Sequence, residues 1–105
     1  MKDVTALKAL LARVEAGDAT DVRLARFCFP KHDRCMFLAY NGDLNAAKAL
    51  HEAVLPEWEW TFYYDGECSI QQKSGRSIYK ASRNPDPARA WLISILKALI
   101  SEAEH

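Results

Sequence analysis

Cys28, His32, Cys35 and Cys68 are the side chains in this sequence whose types suit metal or thiol chemistry. Thiolates and an imidazole match tetrahedral zinc, but the spacing Cys-x3-His-x2-Cys lacks the Cys-x2-Cys knuckle, and Cys68 is far along the chain. Cys28, His32 and Cys35 are therefore weak metal candidates. Small apolar thiols in a core and a surface histidine explain the same residues, so no metal or cofactor is assigned. A cysteine nucleophile needs a base within hydrogen-bond reach, and nothing in the sequence orients His32 or His51 for that role. His51 falls on the apolar side of a helix, which fits a hydrogen-bonded histidine at the edge of a core.

Two further sets carry charge. Glu57 and Glu59 alternate with tryptophans, and paired carboxylates can raise one pKa for acid-base work. No phosphate-cradling glycine loop, nucleophile elbow or His-x-Glu motif accompanies them, so they read as solvated strand residues and an enzyme is the weaker hypothesis. Lys73, Arg76, Lys80, Arg83 and Arg89 concentrate positive charge around Tyr79, a mixture able to hold a phosphate or a stacked base. The same residues also suit an edge strand kept from pairing with its like. Tyr63, Ser69, Gln71 and Tyr79 fall on the polar face of a sheet, where tyrosines among small hydroxyls suit adaptable recognition. The candidate binding residues are thus Tyr63, Ser69, Gln71, Arg76, Tyr79, Lys80 and Arg83.

Composition sets the frame for these side chains. The 105 residues are enough for one domain with a core of its own, and 14 basic residues balance 14 acidic ones, which disfavours attraction to nucleic acid by net charge. Charges at Lys2, Asp3, Lys8 and Arg13 exclude a secretory or membrane-spanning reading of the N-terminus. Three cysteines without a repeated spacing fit reduced thiols, so the expectation is a cytoplasmic protein without membrane partners.

The elements that must position the candidates read in order. Val4, Leu7, Leu11 and Val14, widened by Leu10, form the stripe of a first helix, with Asp3 as its cap and Gly17 at its end. A short helix from Asp21 to Phe29, with Val22, Ala25 and Phe29 on one face, stops at Pro30. Lys31 to Gly42 reads as a loop anchored by Met36, Phe37, Leu38 and Tyr40. Asp43 then caps a helix carrying Leu44, Ala47, Leu50 and Val54, which closes at Leu55 and Pro56.

From Glu57 to Tyr64 the period changes to two, with Trp58, Trp60, Phe62 and Tyr64 on one side. Two glycine-centred turns divide Trp58 to Ser82 into three strands. A three-residue loop, Tyr64-Asp65-Gly66 with Gly66 in the left-handed conformation, keeps the faces consistent by pairing Phe62 with Cys68 and Trp60 with Ile70. The same logic at Lys73-Ser74-Gly75 pairs Ile70 with Ile78. The buried face is then Trp58, Trp60, Phe62, Cys68, Ile70 and Ile78. Asp86 caps and Pro87 opens a last helix to Ala103, with Ala88, Trp91, Leu92, Ile95, Leu96, Leu99 and Ile100 on its apolar face and a frayed tail, SEAEH.

The fold class is α+β, a three-stranded antiparallel meander layered with helices in the order α-α-(loop)-α-β-β-β-α, over a single α/β sandwich domain spanning 1–105. DLNAAKALHEAVLPEWEW and NPDPARAWLISILKALI, with DVRLARF upstream, resemble the phage ABA sandwich domain family of small phage and prophage proteins. That resemblance implies a sheet layered between helices, a phage or prophage origin and no established activity. It points to an accessory protein of the host cytoplasm that acts by binding a host or phage protein or by self-association. The alternative is a small-ligand or nucleotide-binding module, one that sequesters a host signalling molecule, for which the basic cluster beside Tyr79 is the motive. A virion component is a third reading.

Overall fold

A computed structural model of the chain describes residues 4–18, 22–63, 66–73, 75, 78–80 and 84–104, without the side chains of 78–80. The fold is α+β. Five helices, α1 (Val4–Ala16), α2 (Val22–Cys28), α3 (Asp33–Tyr40), α4 (Leu44–Val54) and α5 (Pro87–Glu104), accompany an antiparallel sheet of β1 (Trp58–Phe62), β2 (Cys68–Gln72) and the short β3 (Ile78–Lys80).

Helix α5 is the inner layer. Beyond the expected stripe, Ala90, Ile93, Ser94 and Ala98 are buried as well, so the helix has no polar face over most of its length. A helix that is apolar all round must be covered all round, and here the sheet covers one side while α1, α3 and α4 cover the rest. The expected order of layers is thereby corrected: a helix, rather than the sheet, lies between. The open face of the sheet leaves Glu59, Thr61, Tyr63 and Gln71 exposed. Asp86 caps α5 as expected, its Oδ1 accepting from the amides of Ala88 at 3.0 Å and Arg89 at 3.4 Å. The C-terminus is helical to Glu104, where the Lys8 ammonium meets the Glu104 carboxylate at 3.1 Å and the Gln72 amide donates to Glu102, instead of fraying after Ala103.

The segment expected as a loop, Lys31 to Gly42, contains α3. Met36, Ala39 and Tyr40 are buried at helical spacing, and Asp33 sits in the first turn, where an anion is favoured. The helix ends in a Schellman motif: Gly42 donates to Ala39 at 3.0 Å and Asp43 to Leu38 at 2.9 Å. Asp43 also caps α4 by accepting from the amide of Ala46 at 3.1 Å. One residue thus closes α3 and opens α4. The buried stripe of α4 is Ala46, Ala47, Leu50 and His51, rotated from the expected one, with Leu44 exposed and Val54 half-buried. On α2, Ala25 and Cys28 are buried while Val22 is exposed, a second departure from the expected face; Asp21 lies outside the described residues.

The first hairpin has the expected register, Trp60 opposite Ile70 and Phe62 opposite Cys68, with Gly66 at φ 91°. The second departs by one residue: Ile70 faces Tyr79 and Gln71 faces Ile78. Its turn starts as expected, Gly75 donating to Gln72 at 2.8 Å; Arg76 and Ser77 lie outside the described residues. Trp58, Cys68 and Ile70 are buried as expected, Trp60 is half-buried and Phe62 is 40 % exposed. The last two follow from where α5 runs, across β2 and β3, leaving β1 at the uncovered margin.

Gly42 joins two constraints. Its φ is +100°, and a Cβ there would lie 3.1 Å from Oδ2 of Asp86, the cap of α5. Gly17 has φ +74° with nothing within 4 Å. The left-handed backbone alone costs a side chain about 1–2 kcal/mol. In urea unfolding, Gly17→Ala is expected to lose that amount and Gly42→Ala more; equal losses would show that Asp86 yields without cost.

Candidate functional site

A cleft of about 540 Å³ opens where α4 gives way to β1 and is lined by His51, Glu52, Pro56, Trp58, Glu59, Trp60 and Lys73. Helix α4 ends at Val54, a tight turn through Pro56 and Glu57 closes with Trp58 donating to Leu55, and β1 starts at once, so the last turn of α4 stands beside the first residues of an edge strand. Successive strand residues point to opposite faces; Trp58, Glu59 and Trp60 all lining one cleft means that it wraps around the edge of β1.

His51 forms the back wall. It is 1 % exposed and both ring nitrogens are occupied: Trp91 donates its indole N–H to Nδ1 at 3.1 Å, and Nε2 lies 2.8 Å from the carbonyl oxygen of Trp58. An indole nitrogen can only donate. Nδ1 is therefore the acceptor, the proton sits on Nε2, and the ring is neutral. Burial lowers the His51 pKa below 6.5, against the opposing pull of the Trp58 carbonyl and the Glu52 charge. Trp60 packs edge-on against His51 with centroids 5.0 Å apart and tilts against Trp91 at the same distance; Phe62 meets Trp91 edge-on at 5.2 Å. A ring with both nitrogens spent inside the core is a structural joint between α4, β1 and α5, not a general base.

Of the sequence-derived binding candidates, Ser69 and Gln71 lie in β2, Tyr79 and Lys80 in the adjacent β3, and Tyr63 just past β1. Tyr63 and Gln71 are exposed on the open face of the sheet, whereas Ser69, expected beside them, is only 7 % exposed. Tyr79 and Lys80 stand opposite Ile70 and Ser69 in β3, and Arg76 and Arg83 lie outside the described residues. Of the remaining basic residues, Lys73 lines the cleft, while Arg89 donates to the carbonyl of Tyr40 at 2.7 Å and lies 4.3 Å over its ring. Arg89 is thus committed to joining α5 to α3, and the tyrosine hydroxyl in turn donates to the carbonyl of Asp18.

The thiol candidates lie on α2, at the start of α3 and on β2. Cys28 is buried on α2, and Cys35 and His32 are half-buried at the start of α3. Among the described residues no group of three His, Cys, Asp or Glu side chains could hold a metal ion. Burial pushes the Cys68 thiol up to about 12, opposed by the hydroxyl of Ser94, so it is no nucleophile at neutral pH. No helix among the described residues is long and apolar enough to cross a membrane.

Sequence reasoning missed the cleft because it assigned Trp58 and Trp60 wholly to the core and the carboxylates to the solvent. The signal available was the juxtaposition itself, a helix-ending proline two residues before a Trp-x-Trp strand. No family model matches the chain, and no curated protein or solved structure matches it either.

The His51 joint makes stability depend on pH. Its folded pKa lies below the 6.5 of the unfolded chain, so as pH falls through 6.5 the unfolded state takes up the proton first. This contribution is complete above 6.5 and is lost below it, with a slope of at most about 1.4 kcal/mol per pH unit for one proton. Urea titrations across that window should show a steeper loss for the wild type than for His51→Gln; parallel losses would mean that His51 does not titrate differently on folding. Trp91→Phe, which strips the donor from Nδ1, is expected to cost about 1–3 kcal/mol.

Proposed function

We propose that the protein is a phage or prophage accessory protein of the host cytoplasm that acts by non-covalent binding of a host or phage protein. The observation that carries this reading is the cleft at the α4–β1 junction, with indole surface and a proline among its walls and charged groups beside them. A concave site in which aromatic surface is flanked by charged groups suits recognition. The reactive side chains support the same conclusion, since His51 and Cys68 are both consumed by the fold. The phage assignment rests on the resemblance carried by the Asp43–Trp60 and Asn84–Ile100 stretches.

The nucleotide-binding alternative draws less support. Among the described residues of its basic cluster Lys73 lines the cleft and Arg89 does not, and Glu52 and Glu59 there disfavour a phosphate. Self-association remains the natural competitor, because a cleft along a strand edge can also be filled by a second copy.

Affinity capture from host lysate tests the reading, comparing the wild type with Glu52→Lys/Glu59→Lys at the cleft and with Thr61→Lys on the open face of the sheet. All three positions are exposed, so the fold should survive, and circular dichroism verifies it. The expected outcome is a partner retained by wild type and Thr61→Lys and lost by the double variant. Retention by all three, or loss only with Thr61→Lys, would move the binding surface elsewhere.

A further inference from the structure

We propose that the occupant of the cleft is an extended, arginine-bearing segment of a partner protein that pairs with the free edge of β1. This rests on the reading of the cleft as a binding site and adds the chemistry of what enters it. The edge comes first. Lys73 donates to the carbonyl of Glu57 at 3.0 Å and Tyr63 to that of Glu67 at 2.8 Å. Antiparallel ladders alternate, so Glu57, Glu59, Thr61 and Tyr63 direct their backbone groups toward β2, and Trp58, Trp60 and Phe62 direct theirs outward. Those of Trp58 are already used, its N–H donating to Leu55 at 3.1 Å and its carbonyl accepting from His51. The outward N–H and C=O of Trp60 and Phe62 remain for a partner strand, and β1 is the first strand of the sheet order. WEWTF contains no proline, lysine or arginine, the usual protections of an edge.

Charge and aromatic surface then select the occupant. Among the described lining residues, the two carboxylates Glu52 and Glu59 stand against one cation, Lys73, around the half-buried indole of Trp60, so the described walls lean negative. A guanidinium suits both features, because it stacks on an aromatic face and pairs in a planar fork with a carboxylate. The main chain of the segment supplies the remaining partners in the manner of strand addition. A second copy is a poorer match: antiparallel pairing of β1 with β1 through Trp60 and Phe62 sets Thr61 against Thr61 and Glu59 against Tyr63, and WEWTF offers the cleft carboxylates no cation.

The test uses the full chain and blocked six-residue peptides of alternating valine and threonine with one central arginine, and with glutamate in its place. NMR titration follows the Trp60 indole and the amides of Trp60 and Phe62, and hydrogen exchange follows the same amides. The arginine peptide is expected to saturate these shifts and to protect the two amides. Glu52→Gln and Glu59→Gln should each weaken it about two- to fivefold, the range of an exposed charge pair, and Lys73→Gln should tighten it. Equal or tighter binding of the glutamate peptide, or saturation without protection of Trp60 and Phe62, would overturn the proposal. So would a dimer in sedimentation that a charge reversal at Glu59 strengthens. If neither peptide binds while the capture experiment still loses its partner with the Glu52/Glu59 variant, this inference fails and the binding role stands. Failure of both experiments removes the cleft from consideration altogether.

Discussion

A helix without a solvent face cannot exist alone in water, and α5 is such a helix. From Ala88 to Ile100 every residue but Arg89 and Lys97 is buried, so the remaining elements are arranged by the need to enclose it. Fully burying one large apolar side chain contributes roughly 1.5–3 kcal/mol, and α5 offers a Trp, three Ile and three Leu in this stretch. One layer cannot surround a helix. The chain supplies the sheet on one side and α1, α3 and α4 on the other, and Ser94 is admitted because its hydroxyl has carbonyl acceptors at Cys68, 3.1 Å away, and Ala90, 3.2 Å away. Arg89 is tolerated near the start because its charge is laid over Tyr40 and beside Asp86 at 3.9 Å.

The same constraint explains where the cleft lies. A helix is about 10 Å across with its side chains, and strands are about 4.8 Å apart, so one helix shields roughly two strands. With α5 over β2 and β3, the outer strand β1 must find other cover. It obtains this at its first residues from the last turn of α4, through His51, and from Trp91 reaching across to Trp60 and Phe62. A histidine serves this position well because it bridges two polar atoms that the apolar surroundings would otherwise strand, the Trp91 indole N–H and the Trp58 carbonyl. The cover stops there, which leaves indole surface and open backbone at the edge.

Much of this was legible in the residues, and what was not has physical causes. The Asp86-Pro87 start and the Asp43 cap were legible because capping is a local chemistry of single side chains. The β1–β2 register was legible because slipping it by one residue would set Phe62 and Trp60 against polar partners. The β2–β3 register was not, since Ile78 is the lone strong apolar anchor of that strand and one residue is too weak a constraint. Helix α3 was hidden because Met36, Phe37 and Leu38 are consecutive, which conceals the buried spacing of Met36, Ala39 and Tyr40. Alternation shows which residues share a face but says nothing of how far a helix extends over that face. Trp58 is core as its alternation implies, whereas Trp60 and Phe62, on the same face, lie at the margin that no helix covers.

Edge strands expose a protein to pairing with the wrong chain, and most are blunted by lysine, proline or a bulge. Here β1 has aromatic residues on its packed side and Glu57 and Glu59 on the other. On the proposed reading, carboxylates at this edge disfavour acidic chains while leaving the backbone available to a basic one. Negative charge therefore acts as a filter where proline would act as a block. The filter works only if the edge stays in one register and one position, and that is what the fold supplies: His51 and Trp91 pin the start of β1 to α4 and α5 through two hydrogen bonds inside the core. His51, which looks reactive in the sequence, thus contributes rigidity, fixing the start of the strand whose edge we propose as the binding surface.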